Sequence, residues 1–348
     1  MKLRSFFVLT LAFAFGLLLQ SLAAAQENEL RAALIDVEGG QATLFVAPTG
    51  ESLLIDTGWS GHEMRDADRI ASTAKSMGVT KIDYVLITHF HEDHVGGVPQ
   101  LLQRIPVGTF LDHGPSRETN TPELKALYDT YARTLANGHY AHIVPKPGDM
   151  LPLRGIHAEV LSADGALIAK PLAGAGAPNR DCAATAEPVD QTENSRSLGI
   201  EITFAGVKIL DLGDLTRDKE QQLVCPVNRI GTVDVLIVSH HGWSQSSSEA
   251  FLHAIRPRVA LMDNGATKGG STSVLDAVLH TQGLEDLWQL HYSEEGGPQH
   301  NTTDKLVANP HGADAAYPLL LTVSSKGVVS VTNSRTGISK SYAPEPGR

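Results

Sequence analysis

Cysteine is scarce in this chain: two among 348 residues, Cys182 and Cys225. Neither stands beside a second thiol or a close histidine, so the thiolate patterns of structural zinc sites are excluded. In an oxidising compartment the two are expected to form a Cys182–Cys225 disulfide; the alternative is a pair of unrelated thiols. Positive charge is also short. Lys and Arg number 28 against 39 Asp and Glu, a net charge of −11, and no Lys/Arg run occurs. Nucleic-acid affinity runs largely on Lys/Arg–phosphate contacts, so long nucleic acid is not an expected partner. Long hydrophobic runs are missing too, with one exception at the start of the chain.

That run, Phe6 to Leu19, follows Lys2 and Arg4 and precedes Ser21-Leu22-Ala23-Ala24-Ala25-Gln26. The order is that of a secretory signal peptide cleaved after Ala25. A membrane span needs about 20 apolar residues, and this run is shorter. Cleavage removes two cations and no acid, taking −11 to −13. The expectation is a periplasmic or secreted protein with no stable membrane insertion after signal cleavage; an uncleaved anchor is the alternative. Residues 26–348 then suit one large α/β domain or two small ones, and a single domain is expected.

Short apolar runs punctuated by glycine organise that domain. Leu30–Val37, Ala42–Ala47 and Ser52–Ile55 read as strands, with Gly39-Gly40 turning the first into the second. Helices are expected over Met64–Met77, Gly96–Arg104 and Pro122–Ala136, and shorter strands near Phe110, His142 and Ala158. Residues 164–193 are rich in Gly and Pro and poor in large apolar side chains. They read as a long insertion loop, a candidate cover for a site mouth. A hairpin, Leu198–Phe204 with Val207–Leu212, is followed by a helix over Thr216–Val224. Strands over Val233–Val238, Arg258–Met262 and Leu287–His291 alternate with helices over Ser247–Ile255 and Ser271–Thr281, and two strands close the chain after Pro318. Hairpins followed by alternating strands and helices point to two mixed sheets with helices outside.

What is present in excess lies in eleven residues. Ile87-Thr88-His89-Phe90-His91-Glu92-Asp93-His94-Val95-Gly96-Gly97 packs three imidazoles and two carboxylates directly after an apolar strand. Imidazole with carboxylate suits a borderline divalent ion such as zinc. The bland alternative, a His-rich surface loop, does not explain the same design at three other places. Asp56 follows Ser52–Ile55, Asp214 follows Lys208–Gly213, and His240 follows Val233–Ser239. Strand ends along one edge converge in space, so four such segments point to one site.

At these residues the chain resembles the metallo-β-lactamase-fold hydrolases. Their first motif is matched by Asp56-Thr57-Gly58, the second by His89-Phe90-His91-Glu92-Asp93-His94, the fourth by Gly213-Asp214 and the fifth by His240. Within the family, Leu34-Ile35-Asp36-Val37-Glu38-Gly39-Gly40-Gln41-Ala42 and Ser239-His240-His241-Gly242 are most similar to the soluble domain of bacterial DNA-uptake competence proteins and their secreted relatives. The resemblance covers about residues 30 to 265. It implies a four-layer αββα sandwich. It also implies a first metal position held by His89 and His91, and a second held by Asp93, His94 and His240, with Asp214 bridging. His241 competes with His240 for the last role. Asp56 would orient ligands rather than bind metal. One departure stands out: the third-motif histidine is missing, and Glu193-Asn194-Ser195-Arg196-Ser197 occupies its place. The first position would then lack a protein ligand or borrow Asn194 or Glu193, so one zinc or two are both open, and manganese is an alternative ion.

The resemblance implies hydrolysis by a metal-bound hydroxide, with Asp93 or Asp214 handling the proton and His241 stabilising an oxyanion or serving as a hydrogen-bond partner. The expected substrate is a small molecule or short phosphodiester. Phosphodiester cleavage follows from the competence-type likeness, lactone or lactam opening from the fold and address. The rival from another class is a non-catalytic binding protein that keeps the fold with an impaired metal site. His113, His139, His142 and His157 are expected at the surface or in packing. His291–His300 follows a strand and reads either as a pocket wall or as an ordinary acidic loop. Trp243 lines the pocket or covers the helix start near Ser247.

Overall fold

The computed structural model describes residues 28–182, 187–310 and 316–345. The expected signal segment lies outside the described residues. Among those described, no helix is long and apolar enough to cross a membrane.

Among the described residues, seventeen strands make two sheets. The first is built from β1 (Glu29–Leu34), β2 (Thr43–Val46), β3 (Ser52–Ile55), β4 (Ile82–Leu86), β5 (Val107–Leu111) and β6 (Ala141–Ile143). The closing strands β15 (Leu319–Ser324), β16 (Val329–Asn333) and β17 (Ser339–Tyr342) join it beside β1, in the order β17-β16-β15-β1-β2-β3-β4-β5-β6. The second sheet contains β7 (His157–Ala163), β8 (Ala166–Leu167), β9 (Gly199–Phe204), β10 (Val207–Asp211), β11 (Val235–Ile237), β12 (Val259–Met262), β13 (Asp286–His291) and β14 (Val307–Asn309). Its order is β14-β13-β12-β11-β10-β9-β7-β8.

Three apolar cores set the layers. Phe45, Leu53, Ile55, Ile200, Ile209, Ile237 and Trp288 pack between the sheets. Leu44, Leu54, Ile70, Val85, Phe110 and Tyr131 fill the outer face of the first sheet, under the helices Arg65–Ser76, Val98–Leu101 and Pro122–Gly138. Leu210, Leu236, Phe251, Leu252, Val274 and Leu275 do the same for the second, under Arg217–Val224, Glu249–Ile255 and Thr272–Leu279. Strands covered on both faces read as continuous apolar runs, as in Ser52–Ile55 and Val259–Met262. The arrangement is the expected αββα sandwich.

Chain direction then places the chemistry. β3, β4, β5 and β6 run parallel, as do β10 through β14. Parallel strands bring their carboxyl ends to one rim, where ligand sites of α/β sheets form. Asp56, His89, Asp112, Asp214, His240 and Asp263 all lie just past such ends.

Several elements differ from expectation, β14 (Val307–Asn309) among them, where no strand is expected. The tail has three strands rather than two, because Ser339-Lys340-Ser341-Tyr342 is exposed except for Tyr342 and carries little apolar pattern. The helix expected over Gly96–Arg104 shrinks to Val98–Leu101, after the short helix Glu92–Val95. Of the loop expected over 164–193, residues 164–182 hold the two-residue strand β8, then run against the second sheet's helical side: Leu172 and Gly176 N–H groups donate to Arg229 and Asn228 carbonyls at 2.8 Å each. A Cys182–Cys225 disulfide, with the Cα atoms 5.8 Å apart, ties this segment down. Its far end, Glu193-Asn194, returns to the rim.

Candidate metal centre

The β4 end delivers four donors within six residues. His89 leaves the strand, and His91 stands just before the short helix Glu92–Val95, which turns Asp93 and His94 inward. The loop between β1 and β2 presses on this turn. Gln41 N–H donates to the Asp93 carbonyl at 3.1 Å, and a Cβ on Gly40 would lie 2.4 Å from that same oxygen. Gly40 is therefore needed for close approach.

Opposite, β10 ends in Asp211-Leu212-Gly213-Asp214. Asp211 Oδ1 accepts from Gly213 N–H at 3.0 Å and Oδ2 from Gln41 Nε2 at 2.8 Å, and burial pushes its carboxyl up to about 7. After β11, His240 and His241 both take left-handed backbone, with φ 58° and 54°. For residues with a Cβ that conformation is unfavourable and is kept where the surroundings impose it. Here it directs two neighbouring imidazoles to different sides of Asp214.

Asp93, His94, Asp214 and His241 form one buried group whose donor atoms all lie within 4.8 Å of one another. His94 Nε2 is 3.3 Å from both Asp93 Oδ2 and Asp214 Oδ2. His241 Nε2 is 3.3 Å from Asp93 Oδ2, 3.5 Å from Asp214 Oδ1 and 3.2 Å from His94 Nε2. His241, rather than His240, thus stands beside Asp93 and His94. His240 Nε2 lies 3.3 Å from Asp214 Oδ2 and 3.5 Å from Asn194 Nδ2. On that flank His89 Nε2 is 3.8 Å from Asp214 Oδ2 and 3.0 Å from His91 Nδ1.

The outward nitrogens have partners as well. His94 Nδ1 meets Asp56 at 2.7 Å, His241 Nδ1 meets Asp263 at 3.3 Å, and His91 Nε2 meets Glu118 at 3.3 Å. His89 Nδ1 lies 3.0 Å from Thr88 Oγ1, and His240 Nδ1 lies 3.4 Å from Ser246 Oγ. Four rings hydrogen-bonded on one nitrogen, and His241 held there by the Asp263 carboxylate at ion-pair distance, all turned inward on the other, match the arrangement that metal-binding imidazoles adopt. Asp214 Oδ1 is buried without a hydrogen-bond partner among the described residues. His241 Nε2, at 3.5 Å, is the cationic neighbour of that oxygen and forms no hydrogen bond to it, which leaves the oxygen a lone pair to give, and the mixed imidazole–carboxylate donor set fits a divalent ion.

Electrostatics agree. Burial would raise Asp214, but His240, His94 and His241 outweigh it and hold the carboxyl well below the usual range. Burial likewise opposes ionisation of Asp93, and His94 and His241 overcome it. His241 is lifted to about 9 against burial and Lys268, by Asp214 and Asp263, while burial drops His240 to about 4.

Asn194, weighed as a substitute ligand, reaches His240. Glu193 does not face the donors: it accepts from His113 Nε2 at 2.9 Å, Ser116 Oγ at 3.0 Å and Phe90 N–H at 3.3 Å. His142 pairs with Asp112, His139 ends the helix Pro122–Gly138, and His157 is exposed on β7. His291 joins Asp36 at 2.7 Å in a separate cluster that Arg69 enters at 3.2 Å, so a cation already balances it. The sequence reading missed Glu118, Asp263 and Lys268. Asp263 had a usable signal, since it follows Val259–Met262 as Asp56 follows Ser52–Ile55.

The profile described as "Metallo-beta-lactamase superfamily" matches residues 36–162, which contain Asp56 and the whole His89–His94 motif. This chain carries a metallo-β-lactamase domain. More particularly, it is similar to two competence-type proteins. Recombination protein 2 of Haemophilus influenzae is 27% identical over 233 residues, 66% of this chain and 24% of the relative. ComE operon protein 3 of Bacillus subtilis is 24% identical over 246 residues, 67% of this chain and 28% of the relative. The chain thus spans about a quarter of the length of each. Among solved structures, CmlA, a diiron beta-hydroxylase from Streptomyces venezuelae, aligns with TM-score 0.39 and 14% identity over 73% of this chain and 47% of that one. A likeness so distant says nothing further about this chain.

Proposed function

We propose that this protein is an exported hydrolase that works with two divalent cations, zinc before manganese. The observation that carries the reading is the convergence of five imidazoles and two carboxylates, each ring steadied from outside. Asp93, His94 and His241 would hold one ion. His89, His91 and His240 would hold the other, with Asp214 between them. On this reading His240 does the work of the absent third-motif histidine. Oxygen and nitrogen donors of this mixture suit zinc.

A bound pair of ions would supply a water of lowered pKa and polarise the bond under attack. The chain's own residues do the rest. Asp56, Asp263 and Glu118 fix the ring orientations, and Asp93 or Asp214 takes the proton from water and passes it to the leaving oxygen or nitrogen. One water is consumed for each ester, diester or amide bond broken. Small substrates are favoured, since the acidic chain offers long nucleic acid no basic track. The signal-like first residues support export.

Elemental analysis of the purified protein after equilibration with zinc and manganese tests the reading. About two equivalents and turnover in a panel of a phosphodiester, a lactone and a chromogenic cephalosporin are expected. Near-zero metal would favour a binding protein without catalysis.

A further inference from the structure

Lys268 has no part in the scheme above, yet it reaches the centre. It sits in the loop after β12, and that loop is locked to the histidine segment. Gly270 and Ser271 N–H groups donate to the His241 and Gly242 carbonyls at 2.9 Å each, and the Lys268 carbonyl accepts from Gly265 at 2.8 Å. From this base Nζ donates to Asp93 Oδ2 and, at 2.7 Å, to the Gly39 carbonyl. It lies 5.3 Å from the Trp59 ring and 5.7 Å from the Trp243 ring. The lysine side chain is 22% exposed and Trp243 is 41% exposed.

Charge balance alone does not call for this lysine. Asp93 already faces His94 and His241, and an ammonium against a carboxylate that holds a divalent ion weakens that ion by like-charge repulsion. An ammonium also has three donors. Two are engaged, and among the described residues no third acceptor is within reach of Nζ. The ammonium also lies over two indoles, and the exposed Trp243 offers a flat face on which a substrate ring could stack.

Resting on the hydrolase reading, we propose that Lys268 binds the anionic oxygen of the substrate beside the reacting atom, with Trp243 covering an attached ring. The substrate class is an aryl or nucleoside phosphodiester. A phosphodiester carries its negative charge on the group under attack, which on the hydrolase reading would lie beside Asp93, the carboxylate that Nζ touches. A lactone carries none, and the carboxylate of a lactam antibiotic is set apart from the carbonyl that reacts.

Lys268→Met, Lys268→Arg and Trp243→Ala variants of the zinc-equilibrated protein test this. Dimethyl phosphate binding is followed by tryptophan emission, since Trp59 and Trp243 flank Nζ while Trp288 is fully buried. Zinc content is measured in parallel, and kinetics are run with bis(p-nitrophenyl) phosphate, p-nitrophenyl acetate and the cephalosporin. A charge-assisted hydrogen bond is worth about a tenfold to hundredfold change in affinity. Lys268→Met should weaken dimethyl phosphate by that factor at unchanged zinc content. Lys268→Arg should recover most of the loss, and the preference for diester over acetate should fall by a similar factor, chiefly in KM. Trp243→Ala should raise KM for the aryl diester while sparing dimethyl phosphate. The proposal is overturned if Lys268→Met binds dimethyl phosphate within twofold of the parent, if its binding falls only in step with zinc, if the cephalosporin is the substrate it impairs most, or if the parent shows no response. A parent that binds dimethyl phosphate through Lys268 but hydrolyses nothing would end the hydrolase reading and leave this one standing. Diester turnover indifferent to Lys268 would do the reverse.

Discussion

The two rims that meet at Asp214 assemble their donors in opposite ways. The first sheet supplies His89, His91, Asp93 and His94 from one continuous turn after β4, so local geometry fixes most of their relations. The second supplies Asp214, His240 and His241 from the ends of β10 and β11, and its orienting Asp263 from the end of β12. Nothing local relates those positions; the parallel register of three strands does. The first half is written into six residues, whereas the second exists only once the sheet has formed. Robustness should differ accordingly. A change in the first half would remove a donor, and a change in the second could also redirect one.

The most severe break is expected in the compact half. His91→Ala and Asp93→Ala should lower turnover by about three orders of magnitude or more, with loss of metal seen by elemental analysis. Retained turnover at full metal content would refute the ligand assignment.

Comparing the histidine neighbours sharpens the contrast. His241→Ala and His240→Ala should each reduce bound metal from about two equivalents to one, but from different positions. Paramagnetic or optical spectra of cobalt-substituted protein should therefore lose different features in the two variants. Identical spectra would mean that the left-handed turn does not divide the rings between two ions.

A smaller effect is expected one atom further out. Asp263→Asn keeps the size of the side chain and removes the charge behind His241, so metal affinity should drop about tenfold to a hundredfold. Competition with a chromophoric chelator measures it, and an unchanged affinity would show that His241 needs no such support.

The mildest prediction lies away from the centre, on β9. Glu201 is buried, its Oε2 lacks a hydrogen-bond partner among the described residues, and burial raises its carboxyl from 4.5 to about 7. A raised carboxyl pKa means the fold favours the protonated form. Stability is complete below the ordinary value and declines as pH climbs through about 7. Glu201→Gln should then match the parent near pH 4 and exceed it above pH 7 by about 1–3 kcal/mol. Denaturant melts at the two pH values decide it.

How much could be read beforehand follows the same division. The fold class was legible, and so was the gathering of the His89–His94 donors, Asp56 and Asp214 at one rim, because strand-end donors after apolar runs leave a local mark. Which of His240 and His241 faces Asp93 was not legible, since that depends on two positive φ angles that no residue type at those positions announces. Glu118 and Lys268 sit in irregular loops, and single charges there are indistinguishable from solvated surface. Glu193 was considered as a ligand because it occupies the place of a missing motif. Its actual work, accepting hydrogen bonds from His113, Ser116 and Phe90, depends on the fold of residues 112–118, which carries no periodic pattern.

The division of donors between two sheets has a mechanical consequence. An ion held on the proposed reading by Asp93 and His94 from one slab and by Asp214 and His241 from the other would fasten the slabs together, much as a bolt closes a hinge. Ligation and folding are then linked, and stability grows with the logarithm of free metal over its dissociation constant. Stripping the protein with chelator should lower its melting temperature by several degrees, and the loss should reverse on adding zinc back.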